Sequence, residues 1–279
     1  MTYIPIDGRP FTVSMGLRAL NVADWIEIDS RRDEELKLKR DLLEQHHGQV
    51  FASMPEGLQG SQETLALLEE HLVENFPDQF PQGVESDESV HPLEAAARLV
   101  QEDLVVMSPR DGQWILTAAC VCFPSRWDLT EKVGANLHEI HGPVPHYAER
   151  IGEATNTMFN KFTADRPVWR VNWTILDSPD LFQPSGAMRD VARSAPQEGA
   201  FGDVTFFRTE RQTLRVLPSG DVLFTIRNRV NSLNELARIS PEFREHLGPT
   251  LESTSEQTRS YKGWHPMWEQ LSAWSQGAI

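Results

Sequence analysis

The chain has 279 residues, 39 % of them hydrophobic and 24 % charged, with 26 Lys and Arg against 41 Asp and Glu for a net charge of −15. Apolar residues spread along the whole length exclude collagen-like, low-complexity and wholly disordered chains, and no apolar run reaches the roughly 20 residues of a membrane helix. The acidity argues against a broad nucleic-acid surface, which needs clustered Lys and Arg. Met1 to Pro10 carries no basic segment followed by an apolar core, and two cysteines cannot build a disulfide framework. A reducing, cytoplasmic setting without a membrane is therefore expected.

In chain order, the first 30 residues read as loop with apolar anchors at Met15, Leu17, Leu20, Val22 and Trp25-Ile26. Asp33 to Gln45 is a charged helix with a thin stripe of Leu36, Leu42 and Leu43. Leu65, Leu68, Leu72 and Phe76 fall at helical spacing, which predicts a helix over Gln62 to Phe76 with Ser61 as its N-cap. Phe76 to Ser89 reads as an exposed loop, and Pro92 opens a helix to about Glu102. The period then changes. Leu104 to Met107 and Trp114 to Phe123 predict a hairpin around Ser108 to Gly112. Val168 to Ile175 alternates, with Trp169, Val171, Trp173 and Ile175 on one face and Val168, Arg170, Asn172 and Thr174 on the other. Val204 to Leu217 and Val222 to Val230 form a second hairpin about Pro218-Ser219-Gly220-Asp221. A tight turn there sets Gln212 opposite Arg227 and Arg211 opposite Asn228. Helices resume with Asn234 to Arg238 and Glu242 to Leu247. The fold class is α+β: an antiparallel sheet wrapped by helices from both ends.

Three features hold chemistry. His138, His141 and His146 lie within nine residues, but HEIH is one residue short of the zincin spacing, and Pro143 and Pro145 stop a helix there. His138 and His146 read as surface groups. His141 lies in a proline-stiffened loop, the kind of rigid support that a metal ligand needs. Cys120 and Cys122 share a strand face at a spacing that fits neither zinc, redox nor covalent haem motifs, and they read as buried core thiols. Arg208, Arg211, Arg215, Arg227 and Arg229 concentrate on one hairpin. They are either a solvated face with cross-strand ion pairs or a local anion site. Eight tryptophans are available as core or as pocket walls. No G-x-G-x-x-G, Walker-A or G-x-S-x-G motif occurs.

Taken together, several blocks resemble the haem-dependent oxidative N-demethylases, in particular their haem-bearing α subunit and its relatives. These are Met15-Gly16-Leu17, Trp25 to Asp29, Val121 to Trp127, Lys132-Val133-Gly134, Ile140-His141-Gly142-Pro143-Val144-Pro145, Trp169 to Trp173, and Glu210 to Pro218 with Phe224 to Arg227. The resemblance implies one PAS-like haem-binding domain over residues 1–279, with helical extensions at about 1–103 and 231–279. It implies haem b with its iron held by His141, and Arg170, Asn172 and Arg227 as further cofactor-binding positions. Glu210 and Arg211 are the candidates for the distal or substrate side, although strand alternation sets them on opposite faces unless a bulge intervenes. The implied reaction converts a small methylated amine, such as dimethylamine, to the demethylated amine and formaldehyde. It uses oxygen, and electrons from a separate reductase. A non-catalytic haem-binding PAS-like sensor is the alternative, and a cofactor-free interaction domain the third reading.

Overall fold

The computed structural model describes residues 3–12, 15–142, 144–145, 153–184 and 201–279. Its strands are β1 (Arg18–Ala19), β2 (Phe51–Ser53), β3 (Asp103–Arg110), β4 (Gln113–Cys120), β5 (Val168–Leu176), β6 (Phe206–Val216) and β7 (Val222–Ser232). Among the described residues they form one antiparallel sheet in the order β1-β5-β6-β7-β3-β4-β2. The helices are α1 (Arg32–Gln45), α2 (His47–Val50), α3 (Leu58–Asn75), α4 (Pro92–Leu99), α5 (Leu137–His141), α6 (Glu153–Phe159), α7 (Phe201–Val204), α8 (Leu233–Ile239), α9 (Glu242–Glu252), α10 (Glu256–Tyr261) and α11 (Trp268–Ser275). The α+β class read from the sequence is the one observed. None of the described helices is long and apolar enough to cross a membrane.

The two faces of the sheet are sorted by the period-2 pattern of its strands. One face packs Leu104, Val106, Ala118 and Cys120 against Leu42 and Leu43 of α1, Leu68 and Leu72 of α3, and Leu93, Ala96 and Ala97 of α4. Farther along it, Trp173, Ile175 and Phe207 meet Leu236, Phe243, Leu247, Trp264 and Trp274 of the C-terminal segment. The other face gathers Val105, Met107, Leu116, Val121, Leu214 and Val222 under Leu137 of α5 and Phe159 of α6.

Three local expectations change. The β6–β7 register is shifted by one residue from the tight-turn reading: Arg211 faces Arg227, Glu210 faces Asn228 and Gln212 faces Ile226. The cause is a three-residue loop, Pro218-Ser219-Gly220, closed by Leu217 N–H donating to Asp221 O (2.8 Å), with Gly220 at φ 90°. Only glycine takes that conformation without cost. Helix α3 begins at Leu58, not Gln62, because Gly57 and Gly60 let it lie directly on the sheet. A Cβ at Gly60 would come 2.5 Å from Asp221 Oδ2. Ser61 thus sits inside the helix and donates to Gly57 O (2.6 Å) instead of capping. Finally, His141 ends a one-turn helix. Asn136 and Glu139 form a reciprocal capping box at its start, which supplies enough order for one turn ahead of Pro143.

The tryptophans are mostly core. Trp25, Trp264 and Trp274 are fully buried, and Trp173 stacks on Phe207 (5.2 Å) and Trp264 (5.7 Å). Only Trp114 and Trp127 pack on the α5 and α6 side.

Candidate functional site

On the face beneath α5, the alternation of β5, β6 and β7 lines up Arg170, Asn172, Glu210, Gln212 and Asn228 across three strands. Glu210 Oε2 accepts from Asn172 Nδ2 (3.1 Å) and Gln212 Nε2 (3.0 Å). Arg208 Nε lies 3.8 Å from Oε1. The Arg208 side chain is fully buried; it donates to Leu181 O (3.1 Å), Phe123 O and Asn228 Oδ1 (2.8 Å) and cannot swing away. Glu210 is therefore a half-buried carboxylate whose orientation is fixed by two amides and one immobile guanidinium. Beyond Gln212 on the same face, Val168, Leu214 and Phe224 form an apolar row across the three strands.

Arg170 differs from the other arginines of the sheet. Its Nε is buried without a hydrogen-bond partner among the described residues. Burial pulls its pKa down, and only the field of Glu210 opposes this. A half-buried guanidinium whose Nε is so placed suits an anion.

His141 is half-buried at the end of α5. Its Nδ1 lies 2.8 Å from Leu137 O, and Lys132 Nζ donates to Ile140 O (2.8 Å), which pins the helix end. Burial lowers the imidazole pKa from 6.5; Arg170 and Lys132 push the same way, against the Leu137 bond. The ring is neutral at pH 7. With Nδ1–H donating to a carbonyl, its lone pair is on Nε2, the arrangement typical of metal-bound histidine. His138 is exposed; His146 lies outside the described residues. Among the described residues no group of three or more His, Cys, Asp or Glu could hold a metal.

Arg211 and Arg227 are not brought to this face. Pairing along β6 runs from Phe206 to Val216 without a register shift, so no bulge reconciles Arg211 with Glu210. Both arginines lie on the opposite face. Arg227 meets Glu35 Oε2 (2.8 Å) and Asp29 Oδ2 (2.8 Å). Arg211 donates to Trp25 O (3.0 Å) and Asp24 O and lies 3.6 Å from Glu27. Arg229 adds Glu27 (2.8 Å) and Asp29 (3.4 Å), and Arg215 covers the Trp25 ring at 4.1 Å. The five hairpin arginines thus do not form one anion site: Arg208 is a buried strut, and the other four fasten residues 24–35.

Sequence reasoning missed Lys262. Its Nζ donates to Trp173 O (2.8 Å) on the outer edge of β5, walled by Phe11 (5.8 Å), Trp173 (5.2 Å) and Trp264 (5.5 Å). Burial pushes its pKa down to about 8, with Glu210 opposing and Arg170 reinforcing that shift. The neighbouring Tyr261 also feels Glu210, its pKa raised by burial first and by that carboxylate second. The only trace in the sequence is the aromatic flanking of Tyr261-Lys262-Gly263-Trp264.

The molecule is thus an α+β protein in which one partly exposed sheet face carries a fixed carboxylate, an arginine without an ion pair among the described residues, and a neutral histidine near that arginine. The family described as haem-dependent oxidative N-demethylase, alpha subunit-like, has a model that matches residues 16–272, and the chain belongs to that family. That description implies an oxidoreductase chemistry, dependence on haem and an amine substrate at the level of the family.

Proposed function

We propose that this chain binds haem b on the α5 face of its sheet and oxidatively removes a methyl group from a small amine, releasing formaldehyde. The reading rests on one observation: Glu210, held by two amides, stands on the same face as Arg170, whose buried Nε has no partner among the described residues and which lies near the neutral imidazole of His141. These residues fit haem. The apolar row of Val168, Leu214 and Phe224 suits its ring plane, Arg170 suits one of its carboxylates, and His141 suits its iron. The five long strands follow one another as second, first, fifth, fourth and third across the sheet, with α5 and α6 in the connection between the second and third; this supports the PAS-like reading and a single domain over 1–279.

Haem, when bound, supplies oxygen activation at its iron. The net change consumes one oxygen molecule, two electrons and two protons; the methyl carbon leaves as formaldehyde, the second oxygen atom as water, and the nitrogen keeps a hydrogen. Glu210 receives the alkylammonium and fixes the methyl group's direction. Asn172 and Gln212 keep that carboxylate in one rotamer, which limits positional error at the reacting carbon. Electrons come from a separate reductase, since the sequence carries no dinucleotide fingerprint and only two cysteines, both buried. Arg211 and Arg227 act as fasteners of the N-terminal segment, outside the chemistry.

Reconstitution with haem and an optical spectrum test the first half of the reading. A Soret band is expected, and His141→Ala should shift or abolish it; an unchanged spectrum moves the ligand elsewhere. Formaldehyde release from methylated amines with oxygen and a competent reductant tests the second half. A stable Soret band without formaldehyde from any amine would leave the sensor reading in place of the enzyme.

A further inference from the structure

Asp103 shares the sheet face of Glu210, since Asp103, Ile226, Gln212 and Arg170 form one row across β3, β7, β6 and β5. Its carboxylate is fully buried, and the reaction proposed above leaves it unused. Two short bridges join it to Arg208. Asn228 Nδ2 donates to Asp103 Oδ2 (3.3 Å) while Asn228 Oδ1 accepts from Arg208 (2.8 Å). The Phe123 N–H donates to Asp103 (3.2 Å) while the Phe123 carbonyl accepts from Arg208. Asp103 also takes the Cys122 N–H (2.8 Å). On its other side Lys39, equally buried, is fastened to the carbonyls of Val100 (2.8 Å) and Glu102 (2.6 Å), the residue before Asp103. Beyond Arg208, 3.8 Å from its Nε, is Glu210. The charges thus alternate in sign from Lys39 through Asp103 and Arg208 to Glu210, and the last of them is the one the amine meets.

We propose that Asp103 is a positioning residue of the amine site. By sharing the charge of Arg208 through Asn228 and the Phe123 peptide, it sets how much of Glu210's charge is left for an ammonium. This rests on the reading of Glu210 as the amine's partner and adds a regulation of that site. Among the described residues Arg208 makes no ion pair other than that with Glu210, and its buried guanidinium meets no solvent. With Asp103 ionised, Arg208 is compensated from both sides. With Asp103 protonated, Arg208 has Glu210 alone, and an incoming ammonium competes with it for that carboxylate. Little water screens these charges, so each feels the other strongly. Burial raises the Asp103 pKa to about 6, against Lys39, the backbone donors and Arg208, so its charge changes just below neutrality. The titratable groups that face it are Lys39 from α1, Arg208 from β6 and the Cys122 thiol from the end of β4, which its bond to Cys120 and its burial keep protonated.

The test uses the full-length, haem-loaded protein titrated with dimethylamine and followed by optical difference spectra between about pH 5 and about pH 7.5, where an alkylamine stays protonated. Asp103→Asn removes the charge and keeps the shape. It is expected to bind the amine about fivefold more weakly than wild type at the upper pH, the lower end of coupling between two sites, and to match wild type at the lower pH. Titration of Glu210 or His141 weakens binding in both proteins alike and leaves this convergence intact. A purely structural loss displaces the two curves by one factor at every pH; that result, or equal affinity at the upper pH, overturns the proposal. If Asp103→Asn does not fold, wild type decides through the reciprocal effect, in which the bound ammonium lowers the Asp103 pKa. Infrared difference spectra at about pH 6 should then show a protonated-carboxyl band lost on adding amine, shifted by a heavy carbon isotope at the aspartate carboxyls and unmoved by the same label at glutamate. No such band, or one that follows the glutamate label, overturns the proposal. Amine affinity unchanged by Glu210→Gln strikes the underlying reading and this inference with it. Curves that fail to converge in a protein whose Glu210→Gln variant does lose affinity strike this inference alone.

Discussion

Arg227→Met separates a fastening role from a cofactor role. The guanidinium is 1 % exposed, 2.8 Å from a Glu35 carboxylate that is itself 2 % exposed and 2.8 Å from Asp29. Removing one partner of a buried ion pair leaves the other charge uncompensated and costs about 3–5 kcal/mol. Glu35 keeps Gln101 Nε2 at 2.7 Å and Arg31 Nε at 3.4 Å, and Asp29 keeps Arg229. The lower end, about 3 kcal/mol, is therefore expected. At roughly 2–4 °C per kcal/mol for a chain approaching this size, the melting temperature should fall by about 6–12 °C. Urea unfolding followed by far-ultraviolet circular dichroism measures the loss directly. The double variant Arg227→Met/Glu35→Leu should recover a substantial part of it, because the stranded carboxylate is gone. Haem affinity, measured where both proteins are folded, should stay within about twofold of wild type. A stability loss under about 1 kcal/mol, or a fall in haem affinity with stability intact, would refute the fastening argument and return Arg227 to the cofactor.

Glu210→Gln should raise the apparent KM for the amine by about 10- to 100-fold, the loss of one charge-assisted contact, and formaldehyde release against amine concentration measures it; an unchanged KM removes Glu210 from substrate binding. His71 is 3 % exposed, and burial first, then Arg215, lower its pKa from 6.5 to about 4. The unfolded chain takes up a proton before the native one does as the pH falls through that window. Stability present above pH 6.5 should thus drop by about 3 kcal/mol by pH 4. His71→Phe should flatten this difference in urea unfolding, and an equal acid loss in both proteins sinks the attribution. Gly60→Ala places a Cβ 2.5 Å from Asp221 Oδ2 and 2.7 Å from Val106 Cγ1. It should cost about 1–3 kcal/mol by lifting α3 from the sheet, and a neutral melting temperature would show that α3 shifts freely.

The pattern of β5 was legible because alternation is a local property. Alternation alone puts Arg170 and Asn172 on one face and the two tryptophans on the other, and the strand is built that way. The β6–β7 register was not legible, because a single left-handed glycine decides whether the loop counts two residues or three. The arginines show the sharper boundary. Their concentration on one hairpin leaves an ion-paired face and an anion site as alternatives, and what decides is Asp29, an acid that neutralises Arg227 from 198 residues earlier, a pairing of which composition holds no trace. Lys262 was hidden for the same reason, being tied to Trp173 across 89 residues. Sequence spacing reveals what one strand or helix decides, and it is silent on what the sheet later brings side by side.

The margins of the sheet constrain how this protein meets others. Beside β4 runs β2, paired at only Phe51 to Ser53, and beside β5 runs β1, paired at only Arg18 and Ala19. Each long outer strand is shielded by a stub too short to template another chain. Farther along β5, where the stub ends, a lysine ammonium occupies the carbonyl of Trp173. Strand addition is closed off at these positions, so the electron donor proposed above would have to approach over helix and loop surfaces. Against the net charge of −15, such a donor would be expected to present a basic patch and to show a salt-sensitive encounter rate.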